Sequence, residues 1–124
     1  MGQNIAIVLE SNNEMTNRIL ERWEDVLESR DGGAIYSPSG ARLRTWAGID
    51  RESREFESRM PGETGGVALQ TGNHPSFPAL ILACLRAGRT VSLFDADFSG
   101  EARREIEQNL GVTLRVTASS GDSL

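Results

Sequence analysis

The stretch LACLRAGRTVSLFDAD, residues 82–97, decides the fold of this chain. Its first half is apolar on almost every side of a helix, which is typical of a buried helix. Its second half is a short run of apolar and β-branched residues, which is typical of a strand. Gly88 separates the two halves, where a left-handed glycine commonly ends a helix. A buried helix that returns at once to a buried strand indicates a parallel sheet.

The same alternation extends to both sides of this stretch. Strand-like runs lie near residues 66–71, 90–95 and 112–118, and helical periodicity covers residues 46–60, 76–87 and 99–110. The strands start about 22 residues apart, which is too long for hairpins and suits helical crossovers. We therefore predict an α/β fold built on a parallel three-stranded β-α-β-α-β unit, with Ser99 capping its last helix.

The N-terminal half adds a helix and a β-hairpin to this unit. Between residues 13 and 30 apolar side chains recur at helical spacing, with charged residues between them. The turn PSG, residues 38–40, separates two strand-like runs and is typical of a hairpin. Thr45 stands where it can cap the next helix. The run NIAIVLE, residues 4–10, has no clear period and is compatible with a strand, an arm or a helix start.

We expect one domain with two short extensions. Residues 1–12 form an N-terminal arm, residues 13–118 form the α/β domain, and residues 119–124 form a flexible tail. A chain of 124 residues is large enough for a modest core but is small for an enzyme.

The composition excludes several classes of function. The net charge is −5 and all 13 basic residues are arginines, so a basic patch for nucleic acid is not expected. Cys84 is the only cysteine, which excludes an internal disulfide and leaves too few ligands for a zinc site. The longest apolar run, residues 79–85, is too short to cross a bilayer, and no signal peptide is evident. We expect a cytoplasmic protein without nucleic-acid or membrane partners.

Residues that can carry chemistry are few. His74 and Asn73 lie in the turn from a predicted strand to a predicted helix, where ligands bind in α/β sheets. We name Asn73 and His74 as candidate substrate-binding residues, with an exposed or capping role for His74 as the favoured alternative. Asp95 and Asp97 end another strand, where a turn or capping role is favoured over a cation site. We predict no catalytic residue and no metal site in this chain.

Two phosphate-binding motifs are absent from the sequence. No G-x-G-x-x-G follows a predicted strand, which argues against a dinucleotide-binding fold. The tail TASSGDSL, residues 117–124, lacks the second glycine and the lysine of a phosphate loop.

Taken in order, the segments resemble the opening of the AMP-forming adenylate synthetases, the superfamily of acyl- and aryl-CoA ligases, peptide-synthetase adenylation domains and luciferases. LRTWAGID, residues 43–50, resembles the start of the family's first long helix, with Trp46 at its aromatic position. GVALQTGNHPSFPALILACLRAG, residues 66–88, is similar to the family's strand, Asn turn and apolar helix. LRAGRTVSLFDAD, residues 85–97, resembles the motif L-[KR]-A-G-x-x-x-V-P-L-D-P that follows. The resemblance covers residues 15–118.

The sequence also departs from the family pattern. Gly48 replaces a glutamate that would complete a capping box with Thr45. Leu93 and Ala96 stand at the two proline positions of the second motif. The family's phosphate loop, Tyr-Gly-x-Thr-Glu motif, ribose-binding Asp and C-terminal lysine lie further along and have no counterpart here.

The resemblance implies a parent enzyme that joins a carboxylate to ATP and then transfers the acyl group to coenzyme A. A CoA ligase is favoured over a peptide-synthetase domain, and the parent's cofactors are ATP, Mg²⁺ and CoA. Adenylation needs cations around the α-phosphate. We therefore expect an N-terminal fragment or subdomain that binds no cofactor and is not catalytic by itself.

The alternative is a stand-alone, non-catalytic α/β module for protein association. A parallel sheet is normally covered on both faces, and an open edge or apolar face seeks a partner. We therefore expect self-association, as a closed homodimer, or association with the remainder of the parent enzyme.

Overall fold

The computed structural model describes residues 6–9, 14–60, 65–95, 98 and 100–117. The described elements follow in the order β1 (Ala6–Leu9), α1 (Glu14–Ser29), β2 (Gly33–Tyr36), β3 (Arg42–Thr45), α2 (Trp46–Arg59), β4 (Gly66–Gln70), α3 (Phe77–Arg86), β5 (Val91–Phe94), α4 (Glu101–Asn109) and β6 (Val112–Thr117). None of the helices in this part of the chain has the length and apolar character that a membrane crossing requires.

β4, β5 and β6 form the parallel unit that the sequence predicts. β4 lies at its centre, with β5 on one side and β6 on the other, in the sheet order β1-β5-β4-β6. Ala68 of β4 lies opposite Ser92 in one parallel pair and opposite Arg115 in the other. The α/β class and the three parallel strands, with α3 and α4 as crossovers, are therefore confirmed.

The sheet has a fourth strand, which comes from the predicted N-terminal arm. β1 pairs antiparallel with β5, and Ala6 lies opposite Phe94 and Leu9 opposite Val91. The run NIAIVLE, which the sequence left open, therefore contributes an edge strand. β6 forms the other edge. The remainder of the predicted arm and the predicted tail, residues 119–124, lie outside the described residues.

The helix and hairpin of the N-terminal half are also present. α1 falls within the predicted range, and β2 and β3 pair antiparallel, with Tyr36 opposite Arg42. The hydroxyl oxygen of Thr45 accepts a hydrogen bond from the backbone N–H of Gly48 at 2.9 Å. Thr45 therefore caps α2 as predicted, without a glutamate partner.

The decisive stretch ends α3 with a Schellman motif. Gly88 has a φ of +70°, in the left-handed region that favours glycine. Its N–H donates to the carbonyl of Leu85 at 3.2 Å, and the N–H of Arg89 donates to the carbonyl of Cys84 at 3.0 Å. These bonds satisfy the last carbonyls of α3 and turn the chain directly into β5.

α3 and α4 cover opposite faces of the parallel unit. Val67 of β4 packs in a cluster with Leu80 of α3. The next residue, Ala68, points to the other face and packs in a cluster with Ile106 of α4. Two right-handed crossovers that run in opposite directions across a sheet place their helices on opposite faces.

The predicted cap of α4 is wrong. The helix begins at Glu101, and Gly100, with a φ of +86°, occupies the N-cap position without a side-chain hydrogen bond. A positive φ at this position favours glycine, whereas the sequence prediction relied on the hydroxyl of Ser99. Ser99 itself lies outside the described residues.

Asp50 joins α1, α2 and α3 through its carboxylate. Its Oδ1 accepts hydrogen bonds from Trp23 Nε1 at 2.9 Å and from Arg86 Nη2 at 2.6 Å, and its Oδ2 accepts one from Arg54 Nε at 3.0 Å. Burial acts to raise the pKa of Asp50, but the hydrogen bonds from Trp23, Arg86 and Arg54 outweigh it and hold the pKa below its ordinary value. The folded chain therefore stabilises the ionised form of Asp50.

We expect Asp50→Asn to lower the free energy of unfolding at neutral pH by about 2 kcal/mol, because it leaves the largely buried guanidinium of Arg86 without its closest carboxylate. The contribution of Asp50 is complete above its ordinary pKa of 3.8 and is lost as the pH falls through the lower pKa of the folded state. Denaturant unfolding followed by tryptophan fluorescence should therefore show that wild type and variant converge in acid. Asp31→Asn, at an exposed position, is the matched control. A gap that stays constant into acid would contradict this role.

Candidate functional site

A crevice opens where the carboxyl ends of β4 and β5 diverge. β4 continues toward α3 on one face of the sheet, and β5 continues toward α4 on the other. In open α/β sheets, ligands bind outside the carboxyl ends of the strands, near the point where the strand order reverses. In this sheet the order reverses at β4, between β5 and β6, and the crevice lies on the β5 side of β4. We call this site the switch-point crevice.

The switch-point crevice is open to solvent, has a volume of about 560 Å³ and has mostly apolar walls. Its apolar lining residues are Ile35, Pro75, Phe77, Pro78, Leu93 and Phe94, and its other lining residues are Gly72, Asn73, His74 and Asp95. The hairpin, the β4–α3 turn and the end of β5 therefore all contribute to one site.

The structure places both predicted site residues in this crevice. Asn73 is exposed and follows Gly72, whose φ of +60° turns the chain away from β4. His74 is half-buried beside it. Asp95 comes from the neighbouring strand and is exposed at the same site, a proximity that sequence spacing does not show. Asp97 lies outside the described residues.

His74 organises the turn between β4 and α3. Its ring Nδ1 accepts a hydrogen bond from the backbone N–H of Ser76 at 3.1 Å, and its carbonyl accepts one from the N–H of Phe77 at 3.0 Å. His74 therefore makes a local bond within the turn, two residues before Ser76, which is the N-cap of α3 and has no side-chain cap bond of its own.

Gln70 is a structural residue of the site that the sequence did not indicate. Its side chain is buried, and its Nε2 donates hydrogen bonds to the backbone carbonyl of Asp95, at 2.8 Å, and to that of Phe98. These bonds connect the last residue of β4 to the chain that leaves β5. The only sequence signal is a polar residue at the end of the apolar run GVALQ.

A second polar group holds the start of α3. The hydroxyl of Ser76 is buried, donates to Glu52 Oε2 at 2.5 Å and accepts from Arg44 Nη2 at 3.0 Å. Arg44 also forms an ion pair with Glu52 at 3.1 Å. Since the hydroxyl of Ser76 is engaged on both sides, it positions α3 against α2 and is not arranged as a nucleophile.

The remaining candidate groups do not form a reactive site. Cys84 is fully buried, and burial raises the pKa of its thiol to about 12. It therefore stays protonated at neutral pH and behaves as a small apolar residue. In the part of the chain that the structure describes, no three His, Cys, Asp or Glu side chains come together as a metal site would need.

Comparison with known proteins adds no relative to this picture. The chain matches no protein-family model, no curated protein and no solved structure. The site is therefore interpreted from its own residues.

We expect Gln70→Glu to lower the free energy of unfolding by about 2 kcal/mol or more, because an ionised carboxylate would face two carbonyl oxygens in a buried place. Denaturant unfolding measures this effect. Gln108→Glu, at an exposed position on α4, is the control and should change the stability by less than about 0.5 kcal/mol. The deficit of Gln70→Glu should shrink in acid, where the protonated carboxyl can donate again. Equal stability of the two variants would contradict the bridging role of Gln70.

Proposed function

We propose that this chain is the N-terminal segment of a cytoplasmic AMP-forming acyl- or aryl-CoA synthetase and has no catalytic activity by itself. The parent enzyme would convert a carboxylate and ATP to an acyl-adenylate and pyrophosphate. It would then form a thioester with coenzyme A and release AMP. The resemblance of residues 15–118 to that superfamily is the basis of this proposal.

The observation that carries the proposal is the conformation of residues 66–95. These residues contain the second of the three stretches of the resemblance and all but the last two residues of the third, and they fold as one strand–helix–strand unit with Gly88 at its corner. This is the arrangement that the resemblance implies for them. It supports the proposal because each motif forms the kind of element that the resemblance implies, and the elements follow one another in the implied order.

The departure at Leu93 has a physical explanation. Leu93 lies opposite Ile7 of β1 and opposite Leu69 of β4, so it is paired on both sides. A proline there would remove a backbone donor from the middle of the sheet. A leucine at this position is therefore compatible with a strand that pairs with β1 on one side and with β4 on the other.

The chemistry of adenylation requires parts that these residues lack. Adenylation places cationic groups around the α-phosphate, where negative charge develops in the transition state. The sequence contains no lysine, and no arginine is among the described residues that line the switch-point crevice. We therefore assign the reaction to later segments of the parent enzyme.

The test extends the reading frame beyond Leu124 and compares two proteins. The 124-residue chain should show background pyrophosphate exchange with ATP and a panel of carboxylic acids. The extended frame should encode a Ser/Thr/Gly phosphate loop and a lysine, and its product should show acid-dependent exchange. Reactions without the carboxylic acid are the control. A stop codon directly after Leu124, or acid-dependent exchange by the chain alone, would contradict the proposal.

A second candidate function is a stand-alone association module, and the edge strand β6 favours it. Within the described sheet, β6 pairs only with β4, so the backbone groups on its other side have no strand partner there. Such an edge accepts another strand. A second copy of the chain could pair there about a two-fold axis, and in a parent enzyme a later segment would take this place.

Self-association is tested by sedimentation velocity at micromolar concentration. As a module, the wild-type chain should sediment as a dimer, and Thr117→Lys should shift it toward monomer, because a charged residue on an edge strand opposes strand pairing. Asn17→Lys, at an exposed position on α1, introduces the same charge away from β6 and should leave the dimer intact. A well-folded wild-type monomer would contradict the module.

A further inference from the structure

We propose that the switch-point crevice binds a small aromatic amine and rejects phosphorylated and carboxylate ligands. This site preference follows from the walls, the backbone and the charges of the crevice. It does not depend on the proposed synthetase function.

The walls of the crevice suit an aromatic ring. Phe77 and Pro78 come from the start of α3, Leu93 and Phe94 come from the end of β5, and Ile35 comes from the hairpin. Aromatic and proline side chains offer flat apolar surfaces on which rings stack. The volume of about 560 Å³ lies within the range of small-molecule sites, which is about 300–1,000 Å³. A one- or two-ring ligand therefore fits.

The backbone of the β4–α3 turn leaves no donor for an anion between residues 74 and 78. The N–H of His74 donates to the carbonyl of the residue that follows β4, at 3.4 Å. The N–H of Ser76 donates to the His74 ring and that of Phe77 to the His74 carbonyl. Pro75 and Pro78 have no N–H at all. Phosphate sites at the same position of α/β folds depend on such N–H groups pointing at the ligand.

The charges at the crevice favour a cation over an anion. Asp95 is exposed among the lining residues, and the bond from Gln70 to its carbonyl fixes its backbone. No arginine is among the described lining residues. His74 accepts a hydrogen bond at Nδ1 from the N–H of Ser76. An ammonium group near Asp95 is therefore attracted, whereas a carboxylate or phosphate is repelled.

The Asn73 amide completes the polar side of the crevice. It is exposed beside His74 and offers both a carbonyl acceptor and N–H donors. An amine donates hydrogen bonds, so the Asp95 carboxylate and the Asn73 carbonyl are matched acceptors for it. A few convergent polar groups at an apolar pocket are the usual basis of orientation and specificity.

The test uses three indole probes that differ only in the substituent at C3. Tryptamine carries an amine, indole-3-propionate a carboxylate and indoxyl phosphate a phosphate. Each is titrated into the ¹⁵N-labelled 124-residue chain, and the amide signals of Asn73, His74 and Asp95 are followed. Tryptamine should shift these signals saturably. The two anionic probes should bind at least about tenfold more weakly.

A pair of variants separates the charge effect from the effect of the ring. Asp95→Asn should weaken tryptamine binding about fivefold, as expected for an exposed ion pair, and should reduce the difference between tryptamine and indole-3-propionate. Asp31→Asn removes the same charge at an exposed position outside the crevice and should leave binding unchanged. The amide spectrum of each variant shows whether it is folded.

Three results would overturn the inference. They are the absence of saturable shifts with tryptamine at millimolar concentration, equal or tighter binding of either anionic probe, and unchanged tryptamine binding by a folded Asp95→Asn chain. Any of them leaves the synthetase proposal untouched, because the extended reading frame tests that proposal separately.

Discussion

The burial of α3 against the parallel strands is the interaction on which the rest of the structure depends. Val67, Val91 and Cys84 are fully buried in the cluster that joins α3 to β4 and β5. Burying one such apolar side chain contributes about 1.5–3 kcal/mol. Because α3 is apolar on nearly all sides, its outer face also needs cover, and Leu82 packs there in a cluster with Ile49 of α2. The N-terminal half of the chain therefore covers the apolar face of α3 that the sheet leaves uncovered, and so shields it from water.

Polar bonds fix α3 to α2 at both ends of this apolar contact. At the start of α3, Ser76 bonds to Glu52, and at its end Arg86 bonds to Asp50, and both acids belong to α2. Partly buried charged groups held in this way add little net stability over apolar contacts, but removing a partner leaves a charge unsatisfied. They therefore act mainly on register, because they fix the position of α3 along α2. The start of α3, with Phe77 and Pro78, forms one wall of the switch-point crevice.

Sequence patterns predict those parts of the fold that depend on local physics. The period of apolar residues and the left-handed glycine at position 88 locate α3 and β5, and Asn73 and His74 are correctly placed at a strand end. Local sequence patterns do not show which distant residues pair with one another. The four residues of β1 have no period of their own, and Gln70 donates to carbonyls 25 and 28 residues away. The cap of α4 was mispredicted because Gly100, with a positive φ, occupies the N-cap position, whereas the sequence prediction looked for a side-chain hydroxyl.

The crevice shows how one topology can carry opposite ligand preferences. The carboxyl ends of the strands form a ligand-binding edge in any open α/β sheet, whatever its sequence. The charge that the crevice accepts depends on where the backbone N–H groups of its turn are directed. In this chain Pro75 and Pro78 remove two of them, and His74 engages two more through its ring and its carbonyl. His74, which a sequence search would consider for catalysis, thus engages two N–H groups that an anion would need at the start of α3. The carboxylate of Asp95, across the crevice, also disfavours an anion.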